Sequence, residues 1–225
     1  MKRLPSLTII LVLVLVPLLA SCQAGQSETP QATQRNPDDI GTEVNPKPDD
    51  SDKGDLDRTI NELDRAIQLN PDYAKAYNNR GIAYHDKGEL ERAIRDYDRA
   101  VHLNPNDAKA YYNRGNAYDD KGDLERAIRD YDQAIQLDPD DADAYYARAS
   151  VSYFMGELDR TIGDLDRAIQ LNPDFADAYF HRGITYADKG EKEKAIEDLQ
   201  KALELCGTSP LCQNARQELE KLGVE

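Results

Sequence analysis

Few residues in this chain of 225 are of a type and spacing that could do chemistry, and three of them are cysteines. Cys22 follows Leu19-Ala20-Ser21 at the end of an apolar run, where its thiolate would be a nucleophile open to alkylation. Cys206 and Cys212 flank Gly207-Thr208-Ser209-Pro210. They are candidates for a structural disulfide, with free thiols, a metal site or a redox pair as the alternatives. No histidine is near them in sequence and the spacing is not Cys-x-x-Cys, so metal and redox roles lack support. A bridge over so short a loop would contribute about 2 kcal/mol in the loop-entropy account. The histidines, His85, His102 and His181, are too scattered for a zinc pair. Of the acid-rich stretches, 138–143 lacks the sixth-place glycine that a calcium loop needs, and 49–55, which has Gly54 there, is followed by Ile60 where the loop needs its twelfth-place glutamate; helix capping or solvation explains both. No Gly-rich phosphate loop or nucleophile elbow is present. The sequence predicts no catalytic residues, no metal, no cofactor and no enzymatic activity.

The elements that hold these residues follow from a strict period. Pro71, Pro105, Pro139 and Pro173 are each 34 residues after the last. A period of this length means stacked supersecondary units, because one unit cannot bury its own apolar face. In the first unit Tyr77, Gly81 and Tyr84 share one helical face, and Leu90, Ala93, Ile94, Tyr97 and Val101 share another. Gly88, Gly122, Gly156 and Gly190 fall between the two halves and read as left-handed helix ends. Each proline closes a unit, since it cannot donate the next helical bond. Asp72, Asp107, Asp141 and Asp174 precede the next helix as capping candidates. Gly81 and Gly115, opposite Ala93 and Ala127, are small enough for two helices to approach closely.

These residues resemble the tetratricopeptide repeat, a helix–turn–helix unit with its own pattern of small and aromatic places. The matches run Tyr77, Gly81, Tyr84, Ala93, Tyr97, Ala100, Pro105 in the first unit and Tyr111, Gly115, Tyr118, Ala127, Tyr131, Ala134, Pro139 in the second. The third keeps Tyr145, Ala149, Leu165, Ala168 and Pro173 but has Ser152 and Thr161 where Tyr and Ala are usual. The fourth keeps Tyr179, Gly183, Tyr186, Ala195, Leu199 and Ala202, with Gly207 in place of the proline. The resemblance implies an all-α fold, a right-handed α-solenoid of about ten helices. Its divisions are an N-terminal half repeat over 54–73, repeats over 74–107, 108–141, 142–175 and 176–209, and a capping helix over 210–225. Pro46 and Pro48 argue that the half repeat lacks its first helix. Leu211, Ala215, Leu219 and Leu222 give the last helix one apolar face to cover the array.

The N-terminus reads as an address. Lys2 and Arg3 precede the run from Leu7 to Leu19, too short for a spanning helix. Residues 1–21 read as a signal peptide, and Leu19-Ala20-Ser21-Cys22 resembles the lipobox of bacterial lipoproteins. An ordinary secretory leader with an incidental cysteine is the alternative. The resemblance implies lipidation of Cys22 and a bacterial envelope location, membrane-anchored through two or three acyl chains. Gln23 is not the aspartate that retains such proteins at the inner membrane, which favours the outer membrane in a Gram-negative organism. Residues 22–53 are polar and predict a disordered tether, which would span roughly 30 Å as a coil and about 100 Å at full stretch.

The formal net charge is −15, which argues against nucleic acid as a partner. Solubility explains much of it, together with mixed-sign helical pairs such as Glu91 with Arg95. The family resemblance implies that first helices line a concave groove for a protein or peptide. Carried over place by place, the groove includes Asn78, Asn79, Lys109, Tyr112, Asn113, Asn116, Tyr146, Tyr153, Phe154, Phe180 and His181. Asn79 and Asn113 stand where some repeats grip an extended backbone with side-chain amides. The basic carboxylate clamp of the co-chaperones is mostly missing. Unit three reads Ser152-Tyr153-Phe154-Met155-Gly156 where units one and two end on charges. With Tyr112, Tyr146 and Phe180 this predicts an apolar patch for an anchor side chain, unless Tyr153 merely repacks where the usual Tyr is lost. The expected function is a lipid-anchored envelope adaptor for an unidentified protein or peptide. Its alternative is a self-associating structural protein, a homo-oligomer.

Overall fold

The computed structural model describes residues 50–224, with side chains from residue 54. The expected leader, Cys22 and most of the tether lie outside the described residues, as do Pro46 and Pro48. Ten helices run in order through the described residues: α1 Asp50–Leu69, α2 Ala74–Asp86, α3 Leu90–Leu103, α4 Ala108–Asp120, α5 Leu124–Leu137, α6 Ala142–Phe154, α7 Leu158–Leu171, α8 Ala176–Asp188, α9 Lys192–Leu205 and α10 Leu211–Lys221. The architecture is an all-α solenoid. None of these helices is long and apolar enough to cross a membrane. The first helix begins at Asp50, inside the stretch the sequence assigns to the tether.

Local chemistry sets the joints. Gly88, Gly122, Gly156 and Gly190 have φ between 75° and 80°, a conformation that makes the tight turn inside each hairpin and that a side chain would strain. Helix starts are less uniform than the repeated aspartates suggest. Asp107 accepts from the Lys109 and Ala110 N–H groups, and Asp141 from those of Asp143 and Ala144. At α2 and α8 the cap position is held by Tyr73 and Phe175, with no side-chain cap bond. Asp72 and Asp174 sit one residue too early; Asp72 instead accepts from Arg99 at 3.2 Å.

Each helix packs on the one before and the one after. The first helices α2, α4, α6 and α8 also touch one another in series, and α10 touches α8. No second helix makes a comparable contact with the next second helix among the described residues, so the first helices form the compressed inner row. Between the two rows lie Tyr97, Tyr131, Leu165 and Leu199, each at most 1 % exposed. The small first-helix residues meet these large side chains rather than the alanines opposite. A Cβ on Gly81 would be 2.6 Å from the Tyr97 ring, and one on Gly115 2.7 Å from the Tyr131 ring. At the end of the array Leu211, Ala215 and Leu219 of α10 are buried. Cys206 and Cys212 form a disulfide with Cα atoms 5.6 Å apart, joining the end of α9 to the start of α10.

Candidate binding groove

Four arginines hold the inner row in register. Arg80, from α2, donates through Nε and Nη2 to both oxygens of Asp96 at 2.7 Å each, and through Nη1 to Asp64 of the preceding helix α1 at 2.6 Å. Arg114 repeats this with Asp130 and Asp98, Arg148 with Asp164 and Asp132, and Arg182 with Asp198 and Asp166. The planar guanidinium suits two carboxylates at once, one bound by both oxygens. Asp96, Asp130, Asp164 and Asp198 are buried, so each depends on its arginine. The carboxylates in turn hold each guanidinium firmly cationic. This clamp, tying a unit both to itself and to its predecessor, escaped the sequence reading. The signal was present: an arginine in the seventh place and aspartates in the twenty-third and twenty-fifth, recurring with the period.

Along the inner row the predicted groove residues fall into distinct environments. Asn78 is buried and accepts from the Asn113 amide at 3.1 Å, so this amide pair also links units one and two. Asn79 is half-buried and Lys109 exposed on the same row. Asn116 accepts from the Tyr131 hydroxyl at 2.8 Å. The Tyr112 ring is 5.9 Å from that of Tyr131, and burial raises its hydroxyl pKa. Tyr146 stacks on His181 at 5.2 Å and tilts against Phe175 at 4.9 Å. Burial pushes the His181 pKa down, only partly opposed by Asp177, so the ring is neutral near pH 7. Phe180 packs on Cys206, Leu211 and Cys212, beneath the stapled end of α10. Of the five aromatics expected to form one patch, Tyr146 and Phe180 meet through His181, at 5.2 and 5.7 Å, whereas Tyr153 and Phe154 pair with each other at the end of α6.

The rim where the first helices end is different. His85 Nε2 is 2.6 Å from Asp120, and the Tyr153 hydroxyl donates to Asp188. Tyr153 is therefore not a substitute core residue. Phe154 stands edge-on to Tyr153 at 6.0 Å and is 72 % exposed. Asp119 has its pKa raised to about 6, because burial penalises its charge and Asp120 adds to the repulsion. Burial also raises the pKa of Asp86, with His85 opposing, and of Asp143, with Asp141 adding to it. Glu91 pairs with Lys121 of the next unit at 3.0 Å rather than with Arg95. Among the described residues no group of three or more histidine, cysteine or acidic side chains gathers to hold a metal ion. The surface offers amides, stacked rings, carboxylates and one bare phenyl, which can grip a chain but form no acid–base or nucleophilic constellation.

The comparisons with known proteins agree with this geometry. The family model for the Tetratricopeptide repeat matches residues 108–141 and 176–209, and a second, for the TPR repeat, matches 51–88, 83–122 and 151–190. A crystal structure of MamA is 30% identical, covering 76% of this chain and 94% of that one, with a TM-score of 0.65. YrrB, described as a TPR protein with an unusual peptide-binding site, is 25% identical, covering 74% of this chain and 86% of that one, with a TM-score of 0.63. MamA from Desulfovibrio magneticus, at 22% identity, covers 69% of this chain and 88% of that one with a TM-score of 0.64, a likeness of fold. No curated protein matches the chain in sequence. The period, the paired helices and these matches agree: the chain belongs to the tetratricopeptide-repeat family.

Proposed function

We propose that this protein is a lipid-anchored adaptor of a bacterial envelope, which holds a protein or peptide in the concave row of first helices. One observation carries the reading. The clamp residues repeat in all four units, whereas the inner-row residues change from unit to unit: Asn78, Tyr112, Tyr146 and Phe180 at one place, Asn79, Asn113, Ala147 and His181 at the next. Folding needs the first set; the second set has the aromatic and amide make-up of a recognition surface. The peptide-binding site named for YrrB supports the same use of the fold. The reading assigns no reaction to the chain.

Anchoring rests on Leu19-Ala20-Ser21-Cys22 and on the acidic composition of the rest, which leaves lipid rather than protein charge as the membrane contact. Self-association through the solenoid ends finds little support. The outer face of α1 exposes Asp57, Arg58, Asn61, Glu62, Arg65 and Gln68, with Leu69 its one bare apolar side chain, and α10 exposes Gln213, Asn214, Arg216 and Gln217. Two measurements test the reading. Labelled palmitate should enter the wild-type chain and not Cys22→Ala, which should leave the membrane fraction. A pull-down from envelope extract should retain a partner that Asn113→Ala/Tyr146→Ala loses. Equal yields from both would remove the groove from the account, and a label independent of Cys22 would remove the anchor.

A further inference from the structure

The inference concerns what unit three takes, and it rests on the groove reading. Units one, two and four end their first helix with Asp-Lys: Asp86-Lys87, Asp120-Lys121 and Asp188-Lys189. Each lysine reaches back to an acid at the start of the previous second helix or within α1. Lys87 meets Asp57 at 2.5 Å, Lys121 meets Glu91 at 3.0 Å, and Lys189 meets Asp159. Unit three has Phe154-Met155 at these places. The acid at the corresponding offset is present as Glu125, in the first turn of α5, and it is exposed without a hydrogen bond or ion pair among the described residues. A helix N-terminus favours Glu125 as it favours Glu91, so what unit three lacks is the cation.

The other side of Phe154 shows the same deficit. His85 and Tyr153 each reach a residue 35 positions ahead, Asp120 and Asp188. The residue at that offset from Asp119 is Phe154, which has no donor, and the Asp119 carboxylate has no bonded partner among the described residues. Phe154 is 72 % exposed and Met155 38 %; Leu69, at the far end, is the other large bare apolar side chain among the described residues. Tyr153, fixed by Asp188, backs the Phe154 ring. An apolar knuckle therefore stands where the fold's own Asp-Lys belongs, with carboxylates on both sides.

We infer that Phe154 and Met155, flanked by Asp119, Glu125 and Asp188, are the docking point for a basic segment of a protein partner that presents an apolar side chain beside lysine or arginine. Charge selects this occupant. A second copy of a chain carrying −15 would be repelled at this rim, as would an acidic segment. A cation here meets Asp119 and Glu125 without breaking an existing ion pair, and the face of Phe154 also attracts it. The apolar neighbour covers the phenyl and the thioether.

The test uses the full chain in detergent and three short fluorescein-labelled peptides: one alternating lysine with leucine, one glutamate with leucine, one lysine with serine. Anisotropy should show the lysine–leucine peptide bound at least about tenfold more tightly than either other, with affinity falling as salt rises. Phe154→Asp/Met155→Lys gives unit three the Asp-Lys of the other units and gives Glu125 a cation, so it should melt like the wild type. It should bind the lysine–leucine peptide about tenfold more weakly. Asp119→Asn/Glu125→Gln should weaken binding and flatten its salt dependence. Equal binding of the glutamate–leucine peptide, or of none of the three, would overturn the proposal. So would undiminished binding by the knuckle variant; if Asn113→Ala/Tyr146→Ala then abolished it, the groove reading would stand alone.

Discussion

Units two and three share a joint and differ in filling. Arg114 and Arg148 make the same two-sided clamp, with all their bonds between 2.5 and 2.8 Å. Inside unit two, Gly115 lies under Tyr131, and Arg126 sits over the Tyr118 ring at 4.5 Å. Inside unit three, Ala149 and Leu165 replace the Gly–Tyr pair, and Ser152 replaces the second tyrosine. Without a ring beneath it, Arg160 turns to Asp132 of unit two at 2.9 Å. The difference teaches that stacking depends on the connections, while the contents of a unit vary if neighbours compensate. Unit three is also the unit whose rim is apolar, with Phe154 and Met155 exposed where the other units have Asp-Lys.

The largest effect should come from the shared joint. Arg114→Ala and Arg148→Ala each strand a buried aspartate and should cost about 3 kcal/mol, seen as a lower urea midpoint. A loss in one unit alone would break the equivalence of the joints. The filling comes next. Gly115→Ala forces a methyl against the Tyr131 ring and should cost about 2 kcal/mol. Adding Tyr131→Leu, which copies unit three, should recover part of it, with a coupling of about 1 kcal/mol in a double-mutant cycle. Strict additivity would contradict local compensation.

Smaller effects sharpen unit three and its neighbour. The buried Ser152 hydroxyl has no hydrogen-bond partner, so Ser152→Ala should be neutral or stabilise by about 1 kcal/mol in thermal melts. A clear loss would mean that the hydroxyl is satisfied in solution. Asp119 has a folded pKa of about 6, above its ordinary 3.8, so its charge opposes folding. That cost is full above about pH 6 and disappears as pH falls through 6 towards 3.8. Asp119→Asn should therefore stabilise at pH 7.5 by less than about 1 kcal/mol after solvent screening, and by almost nothing at pH 4. An equal gain at both values would show that Asp119 carries no such penalty.

Much of the fold was legible because it rests on local rules. Gly88 and its equivalents mark turns that need positive φ, and Tyr97 and Tyr131 fall on the helical face that becomes buried. What was hidden depends on how units stack. The sequence shows an arginine at the place of Arg80 in every period, but not that Arg80 reaches Asp64 in the preceding helix α1. Glu91 and Arg95 have helical spacing, yet Lys121 of the next unit is the better-placed cation. The groove list could be carried over from the family, but its division could not. Whether Asn113 is engaged by Asn78, or Phe180 covered by α10, depends on contacts between first helices that spacing alone does not encode.

The central claim is that the inner row, and unit three above all, meets a partner. The most direct test is photo-crosslinking in living cells with a benzophenone amino acid placed at Asn113 of the inner row or at Phe154 on its rim. Arg129 and Gln136, exposed on the second helix α5, serve as controls. The account predicts a discrete crosslinked species from positions 113 and 154 and none from 129 and 136. Adducts only from α5, or equally from all four positions, would contradict it.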